Sequence, residues 1–435
     1  MDIYNLVSFV GIFLLLAIAW LISTFIFKNT RKINWHLVGW GLGLQLFFAL
    51  FIFVVPTGVI VFQIINDLAV TVLGAASQGA SFVFGPLAIP PGVKGSLGFI
   101  LAFQAFPTIL FFSALVAVLY YYPVLPFIIH LFARLFTKLM RISGAESLVV
   151  ASNIFVGVES AFIVKPHIEK MTKSELCTIL TAGMATVASN VLALYVFTLQ
   201  DLFPSIAGHL ISASFLSAPA ALVMAKLLFP ETGKPKTLGR VVDINYERET
   251  NLFEAIINGA GSGLKVIFSI IALLIAVLGL VALVDLALGG AAHVINQWAD
   301  INLNLSLKHL LGYVFYPFTL IIGIPPVDAG IISRIIGERI ILTEVASYQD
   351  LALALASNSL AHPRSAVVTA YALCGFAHVA SMAIFVGGIT ALAPKRTADI
   401  SGVAVKSLIA ATFACLLTAC MAGTFYTNTS LLLGN

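Results

Sequence analysis

Charge is what this sequence has least of. Of 435 residues only 10% are Asp, Glu, Lys or Arg, while 60% are hydrophobic. A soluble protein of this length cannot cover its surface with so few charges, so the chain is an integral membrane protein. Cysteine is scarce as well. Cys177, Cys374, Cys415 and Cys420 all lie in apolar windows, with neither a disulfide framework nor metal-ligand spacing. There is no GxxxxGK[ST] loop, which argues against a transporter driven by ATP on the same chain. There is no His-Glu-x-x-His or paired-aspartate motif either, which argues against an intramembrane hydrolase. The net charge of +4 does not point to a nucleic-acid partner, because the basic residues follow membrane topology.

What is present is a series of charge-free windows. They are Ile3–Phe27, Leu37–Val55, Leu97–Tyr122, Leu176–Gln200, Leu202–Ala225, Val266–Val284, Ser365–Pro394 and Ser407–Asn435. At roughly 20 apolar residues per crossing they predict about eight spanning helices. The first is too long for a cleaved signal peptide and has no basic residue before it, so it is expected to stay as a span. Val59–Leu73 and Asn251–Lys265 are amphipathic and are expected at the outer and inner interfaces.

Lys28, Arg31 and Lys32 follow the first window, and Arg134, Lys138 and Arg141 follow the third. Lys165, Lys170 and Lys173 precede the fourth, and Lys226, Lys234, Lys236 and Arg240 follow the fifth. Pro56–Val93 and Asp201–Pro204 carry no Lys or Arg. The positive-inside rule then places both termini outside the cytoplasm. This orientation has a consequence. Ile142–Val164 must enter and leave from the cytoplasmic side, and His309–Tyr348 from the outer side. Both are apolar and broken by Gly or Pro, so they are predicted as two oppositely oriented re-entrant hairpins. Non-helical backbone at membrane depth survives only when buried in protein or lining a cavity. The second half is thus hairpin, helix, helix, twice, with inverted topology. "ATVAS" (Ala185–Ser189) echoes "AHVAS" (Ala377–Ser381) at matching places. Inverted repeats of this kind are the usual plan of secondary transporters.

Each hairpin carries an isolated acid, Glu159 and Glu344. An acid within the membrane marks a substrate or ion path by default; pairing of Glu159 with Lys165 or a helix N-terminus is the alternative. Arg334, Glu338 and Arg339 near Glu344 are expected to form their own ion network. His378 in the seventh window is either a packing residue or a hydrogen-bonding, proton-responsive ligand. Ser381, three residues on, shares its face. Asn153 and Thr186 carry oxygens that suit sodium beside unwound carbonyls, but also suit ordinary interhelical hydrogen bonds.

"NIFVGVESAFIVKPHIEKMTKSELCTILTAGMATVAS", "GERIILTEVASY", "PRSAVVTAYALCGFAHVAS" and "KINWHLVGWGLGLQ" resemble the concentrative nucleoside transporter family, through nearly the whole chain. The resemblance implies an all-α polytopic protein and an elevator-type homotrimer in the cell inner membrane. It implies nucleoside uptake coupled to sodium, or in some bacterial members to protons, with no further cofactor. Residues 1–130 and 229–308 would be scaffold, and 131–228 and 309–435 the two transport repeats. Residue by residue, Glu344 and Ser381 would contact ribose, and His378 stands where the family has a ribose-contacting asparagine. Glu159 matches an acid near the base, and Val191 an apolar wall there. Asn153, Thr186 and the carbonyls of Val156 and Val187 match sodium-site positions. The departures are specific. Val158 alone replaces the family's Gln-Thr or Gln-Ser before Glu159, and Thr343 and Val345 replace Asn and Phe around Glu344. Losing polar readers is expected to weaken base discrimination.

Overall fold

The computed structural model describes residues 2–29, 33–90, 93–244, 249–299 and 305–427, leaving the side chains of Val158 and Ala299 undescribed. Arg31, Lys32 and the end of the eighth expected span (428–435) lie outside the described residues. Among the described residues the chain is helical throughout, with one isolated bridge between Ser143 and Leu238.

Eight helical stretches are long and apolar enough to cross a membrane: Ile3–Ile26, Trp35–Phe53, Pro56–Ala88, Leu101–Tyr121, Lys173–Leu199, Ile206–Leu228, Leu252–Trp298 and Pro394–Phe425. The total agrees with expectation, but the membership differs. Val59–Leu73 is only part of a 29-residue helix, Pro56–Phe84. Within it, Asn66 Oδ1 accepts from Gly208 N at 3.0 Å. Asn251–Lys265 is likewise no separate piece. It opens a 48-residue helix, Leu252–Ala299. That helix is about 72 Å long at 1.5 Å per residue, more than twice a hydrocarbon core of about 30 Å. The expected seventh span is broken into Pro363–Leu373 and Val379–Leu392. The fourth is broken in the same manner into Lys173–Ala185 and Ser189–Leu199.

The first hairpin comprises Gly144–Ser152, a tip, and the 3-10 segment Val158–Val164. Its start is written in the sequence as a capping box. Ser143 and Glu146 exchange contacts across the first turn, as Thr172 and Glu175 do at the start of Lys173–Ala185. The second hairpin is shorter than expected. Its arms are Pro326–Glu338 and Glu344–Ala356, whereas Leu307–Ile321 is a separate helix ahead of it. Gly323 (φ +85°) makes the turn that separates them. Arg334, Glu338 and Arg339 do not form the expected mutual network. Glu338 pairs with Lys308 at 2.8 Å, Arg334 Nη1 meets His309 Nε2 at 3.2 Å, and Arg339 Nη1 donates to the Ala372 carbonyl.

Burial separates two parts. Within their most apolar stretches, 89% of Lys173–Leu199, 89% of Ile206–Leu228 and 78% of Pro394–Phe425 are buried, against 17% of Pro56–Ala88 and 6% of Leu252–Trp298. The broken helices and hairpins therefore sit in a packed body, with the two long helices outside it. A buried charge cluster ties this body together at one end. Lys226 Nζ contacts Glu146, Ser174 Oγ (3.0 Å) and Glu231 (3.4 Å), so the hairpin start, the half-helix start and the end of Ile206–Leu228 meet on one ammonium. Lys226→Met leaves Glu146 buried without its counter-charge. Losing one partner of such a pair costs about 3–5 kcal/mol. The expected result is a clear fall in the thermal midpoint of the purified protein, largely recovered in the Glu146→Gln/Lys226→Met double variant.

Candidate substrate and ion site

Both breaks lie where the small-residue echoes stand. At the first, Thr186 and Ala188 are extended, at φ/ψ −115°/167° and −69°/139°. At the second, Gly375 has φ +158°, and a Cβ there would lie 2.8 Å from the Ala185 carbonyl oxygen. The two breaks thus touch backbone to backbone, and only glycine permits that approach. Each break is pinned to its hairpin tip by one equivalent bond. Ser189 N donates to Phe155 O at 3.1 Å, and Val379 N donates to Ile340 O at 3.0 Å. Ser189 and Val379 are the first residues of their half-helices. The sequence echo pairs Val187 with Val379, so it marks the correct places two residues out of register.

Between tips and breaks lies a cavity of about 270 Å³. It is lined by Glu159, Val191, Glu344, His378 and Ser381, which the sequence had singled out, and by Thr343 and Val345. It is close to the small end of ligand pockets, roughly 300–1,000 Å³, and so suits a small molecule. Glu159 is solvent-exposed, forms no ion pair with Lys165 among the described residues, and also lines an adjoining cavity of about 500 Å³. That second cavity reaches Lys165 and Glu249 and shares Gly157, Glu159 and Asn190 with the first.

Glu344 is buried and held on both oxygens. Tyr195 OH donates to Oε1 at 2.6 Å, and His378 Nε2 lies 2.7 Å from Oε2. His378 is the N-cap of Val379–Leu392, its Nδ1 accepting from Ser381 N at 3.1 Å. A nitrogen that accepts carries no proton, so the proton sits on Nε2 facing the carboxylate. The single Ser381 hydroxyl proton is shared between the carbonyls of Phe376 and His378, and the oxygen accepts from His378 N at 3.4 Å, so one lone pair is left for a ligand. The buried Thr343 hydroxyl has no partner and lies on the cavity wall.

Asn153 is fully buried behind the first tip. Its Nδ2 donates to Val149 O at 3.0 Å, while Oδ1 has no partner. Ser152 Oγ is also unpartnered. Thr186 Oγ1 donates to Ala182 O at 2.9 Å, which leaves its lone pairs free. The bond from Ser189 N to Phe155 O ties the tip that follows Asn153 to the break that follows Thr186. A buried, unpaired acceptor costs about 1–3 kcal/mol, which a donor or a cation would offset. The chemistry here, oxygens only, suits a hard cation.

Two features escaped the sequence. Tyr195 supports Glu344 from behind, its ring stacked on Tyr348 at 4.5 Å. It lies one helical turn beyond Val191, and that spacing was the available signal. Lys265, Ser269 and Leu273 line the cavity from Leu252–Ala299 at four-residue spacing. Lys265 had been assigned to an interface.

This fold, two inverted hairpin repeats whose broken helices enclose a small cavity beside oxygen-rich buried backbone, defines a secondary transporter. The chain belongs to the Na+-dependent nucleoside transporter family. Residues 10–87 and 209–423 match its N-terminal and C-terminal descriptions, and residues 102–202 match one described as nucleoside recognition. Nucleoside permease NupC of Helicobacter pylori is 34% identical over 97% of this chain and 98% of its own. An uncharacterized transporter of Haemophilus influenzae is 36% identical, covering 96% and 97%. Mouse solute carrier family 28 member 3 is 36% identical, and this chain spans 58% of its length. Among solved structures, CNTnw in an inward-facing substrate-bound state is 33% identical at TM-score 0.86, covering 97% and 98%. A CNTnw double variant in an outward-facing state matches at TM-score 0.88 with 32% identity, covering 98% and 99%. Members of this family are transporters, not enzymes.

Proposed function

We propose that the chain is a sodium-coupled importer of nucleosides. The observation that carries this reading is the unpartnered Asn153 Oδ1 directly behind a hairpin tip that also lines the small cavity. Glu344 and Ser381 take the ribose hydroxyls, with His378 holding Glu344. Glu159 and Val191 face the base. Asn153, Thr186 and the carbonyls of Val156 and Val187 hold sodium. Residues 131–228 and 309–435 form the moving transport part, and residues 1–130 and 229–308 the scaffold of a homotrimer in the lipid bilayer of the cell inner membrane, with both termini extracytoplasmic. The sparse burial of Pro56–Ala88 and Leu252–Trp298 fits a scaffold that meets lipid and partner subunits. Uptake of radiolabelled nucleosides into proteoliposomes, in sodium and in choline, tests it. Absence of sodium-dependent uptake for every nucleoside would sink the proposal.

Proton coupling is the second reading, and the 2.7 Å contact between His378 and Glu344 favours it. Against it, a second proton on His378 must displace the Ser381 N–H from Nδ1 and break the helix cap. A pH gradient that drives uptake without sodium would decide for protons.

Glu159 is assigned to the base because it is the charged group at the first tip and forms no ion pair among the described residues. Glu159→Gln is expected to raise the Michaelis constant about tenfold for the preferred base, close to 1.4 kcal/mol. The ranking of bases should compress with it. Unchanged constants across a panel of nucleosides would remove Glu159 from recognition.

A further inference from the structure

The long helix Leu252–Ala299 changes character along the side it turns to the cavities. Asn258 and Ser262 line the cavity of about 500 Å³, and Lys265 and Ser269 line that of about 270 Å³. At spacings of four, three and four residues they form one polar stripe, about 16 Å long at 1.5 Å per residue. Two glycines fix the rotation of the helix. A Cβ at Gly259 would lie 2.7 Å from Ala117 Cβ, and one at Gly263 would lie 2.9 Å from Ser113 Cβ, so the helix rests directly on Leu101–Tyr121. Lys265 is the sole Lys or Arg of the 48 residues. It is exposed, and its ammonium has no ion pair or hydrogen bond among the described residues. Beyond Ser269 the lining residues are apolar as far as Val281. Leu274 borders both the 270 Å³ cavity and a third one of about 340 Å³, where Leu278 and Val281 follow. The second hairpin tip stands between these two cavities, with Thr343 and Glu344 on one side and Ile341 and Leu342 on the other.

A lysine in an apolar membrane helix marks a substrate or ion path by default. Glu159, on the hairpin wall of the same cavity, is likewise without an ion pair among the described residues. A nucleobase offers what both groups need, because N–H donors alternate with carbonyl or ring-nitrogen acceptors along its edge. The carboxylate takes the N–H, and the ammonium, which can only donate, gives to the neighbouring acceptor. We infer that Lys265 is a substrate contact that the long helix supplies at one end of the transport cycle only. The hairpins carry Glu159 and Glu344 with the site when it moves, whereas Lys265 stays on the scaffold. A site displaced past Ser269 toward Leu278 and Val281 exchanges the ammonium for apolar side chains. The contact therefore tightens binding in the conformation seen here, whose cavity adjoins the one that reaches Lys165 and Glu249. A ligand shifts a carrier toward the state it binds better, by the ratio of the two affinities. Occupancy by a nucleoside thus draws the protein toward this conformation. The inference rests on the proposed reading of the cavity as the nucleoside site and of residues 229–308 as scaffold.

Sided kinetics test it. Nucleoside uptake in sodium is measured in membrane vesicles of both orientations, for the wild type, Lys265→Met and Lys265→Arg, with size-exclusion profiles of the purified variants as the check of folding. Loss of one charged hydrogen bond, partly screened by water, should raise the half-saturating nucleoside concentration of Lys265→Met about tenfold on the side where Lys165 and Glu249 lie. On the other side it should change by less than about twofold, because the contact is not made there. Lys265→Arg keeps the charge and the donors and should stay within about threefold on both sides. Lys265→Cys gives a second route, since the four native cysteines are buried. It should behave as Lys265→Met until 2-aminoethyl methanethiosulfonate attaches an ethylammonium through a disulfide and restores the low constant. An equal rise on both sides would make Lys265 a general influence on fold or field and overturn the inference. Unchanged constants on both sides would make it an interfacial anchor and overturn it as well. If Lys265→Met does not fold, a folded Lys265→Cys that the reagent fails to restore overturns it equally. Wild-type vesicles that take up no nucleoside in sodium would overturn the reading of the site together with this inference, whereas wild-type uptake with variants that act alike on both sides overturns this inference alone.

Discussion

Glu344→Gln is expected to lower initial uptake about hundredfold, close to 2.7 kcal/mol of lost stabilisation. The buried carboxylate receives Tyr195 OH at 2.6 Å and faces His378 Nε2 at 2.7 Å, so both neighbours present donors. An amide has one acceptor and one donor end. Whichever way it turns, its NH2 meets either the tyrosine hydroxyl or the imidazole N–H. A hydrogen bond to a charged group contributes about 1.5–3 kcal/mol, and an unmatched buried donor adds its own desolvation cost. The substitution also removes the anion to which ligand hydroxyls would donate. Tyr195→Phe should be milder, about three- to tenfold, because it touches Glu344 and does not line the cavity. The double variant should lose less than the two singles combined, as expected for residues in direct contact. Initial rates in proteoliposomes, with thermal midpoints to confirm folding, measure all three. Uptake by Glu344→Gln within about threefold of wild type would remove the acid from the transport site.

Much of this site was legible because the membrane makes charge expensive. In an apolar run, an isolated acid stands out without any knowledge of its partners, which is how Glu159 and Glu344 were found. Topology then required both hairpins, since two windows beginning and ending on the same side leave no other path for the chain. What stayed hidden was where the helices break and which neutral residue stands behind a charge. The breaks at Thr186–Ala188 and Cys374–His378 lie inside uninterrupted apolar windows, because hydropathy measures length and composition and does not register φ and ψ. Tyr195 looked like ordinary helix filling until a carboxylate appeared 2.6 Å from its hydroxyl. The polar residues of Val59–Leu73 and Asn251–Lys265 suggested interfaces. In the folded chain Asn66 receives Gly208 N and Lys265 lines the cavity, and both segments belong to longer helices. Arg339 was misplaced for a related reason. Its sequence neighbours Arg334 and Glu338 pointed to a local ion network, but each of the three charges turns to a different partner. Local spacing says which charges are near along the chain, and packing decides which of them meet.

Asn153→Ala is expected to cut sodium stabilisation by about half or more while sparing the sodium-free protein. In the wild type the buried Oδ1 is an acceptor without a partner, and burial of such a group costs about 1–3 kcal/mol. Alanine removes that group together with the Nδ2 bond to Val149 O, so the two changes oppose each other in the ion-free state. The thermal midpoint in choline should therefore move little. Sodium present at a hundred times its dissociation constant should stabilise the wild type by about 2.7 kcal/mol. With one of its ligands gone, the site should need at least about tenfold more sodium, and at ordinary sodium concentrations the stabilisation should shrink below about 1.4 kcal/mol. Uptake should then require correspondingly higher sodium, while the affinity for ribose-bearing ligands at saturating sodium stays near the wild-type value, because Glu344 and His378 are untouched. Thermal unfolding in a sodium series against choline, paired with uptake at matched sodium, separates these effects. A sodium-dependent shift of the same size in Asn153→Ala as in the wild type would place the ion elsewhere and leave the orphan oxygen to another partner.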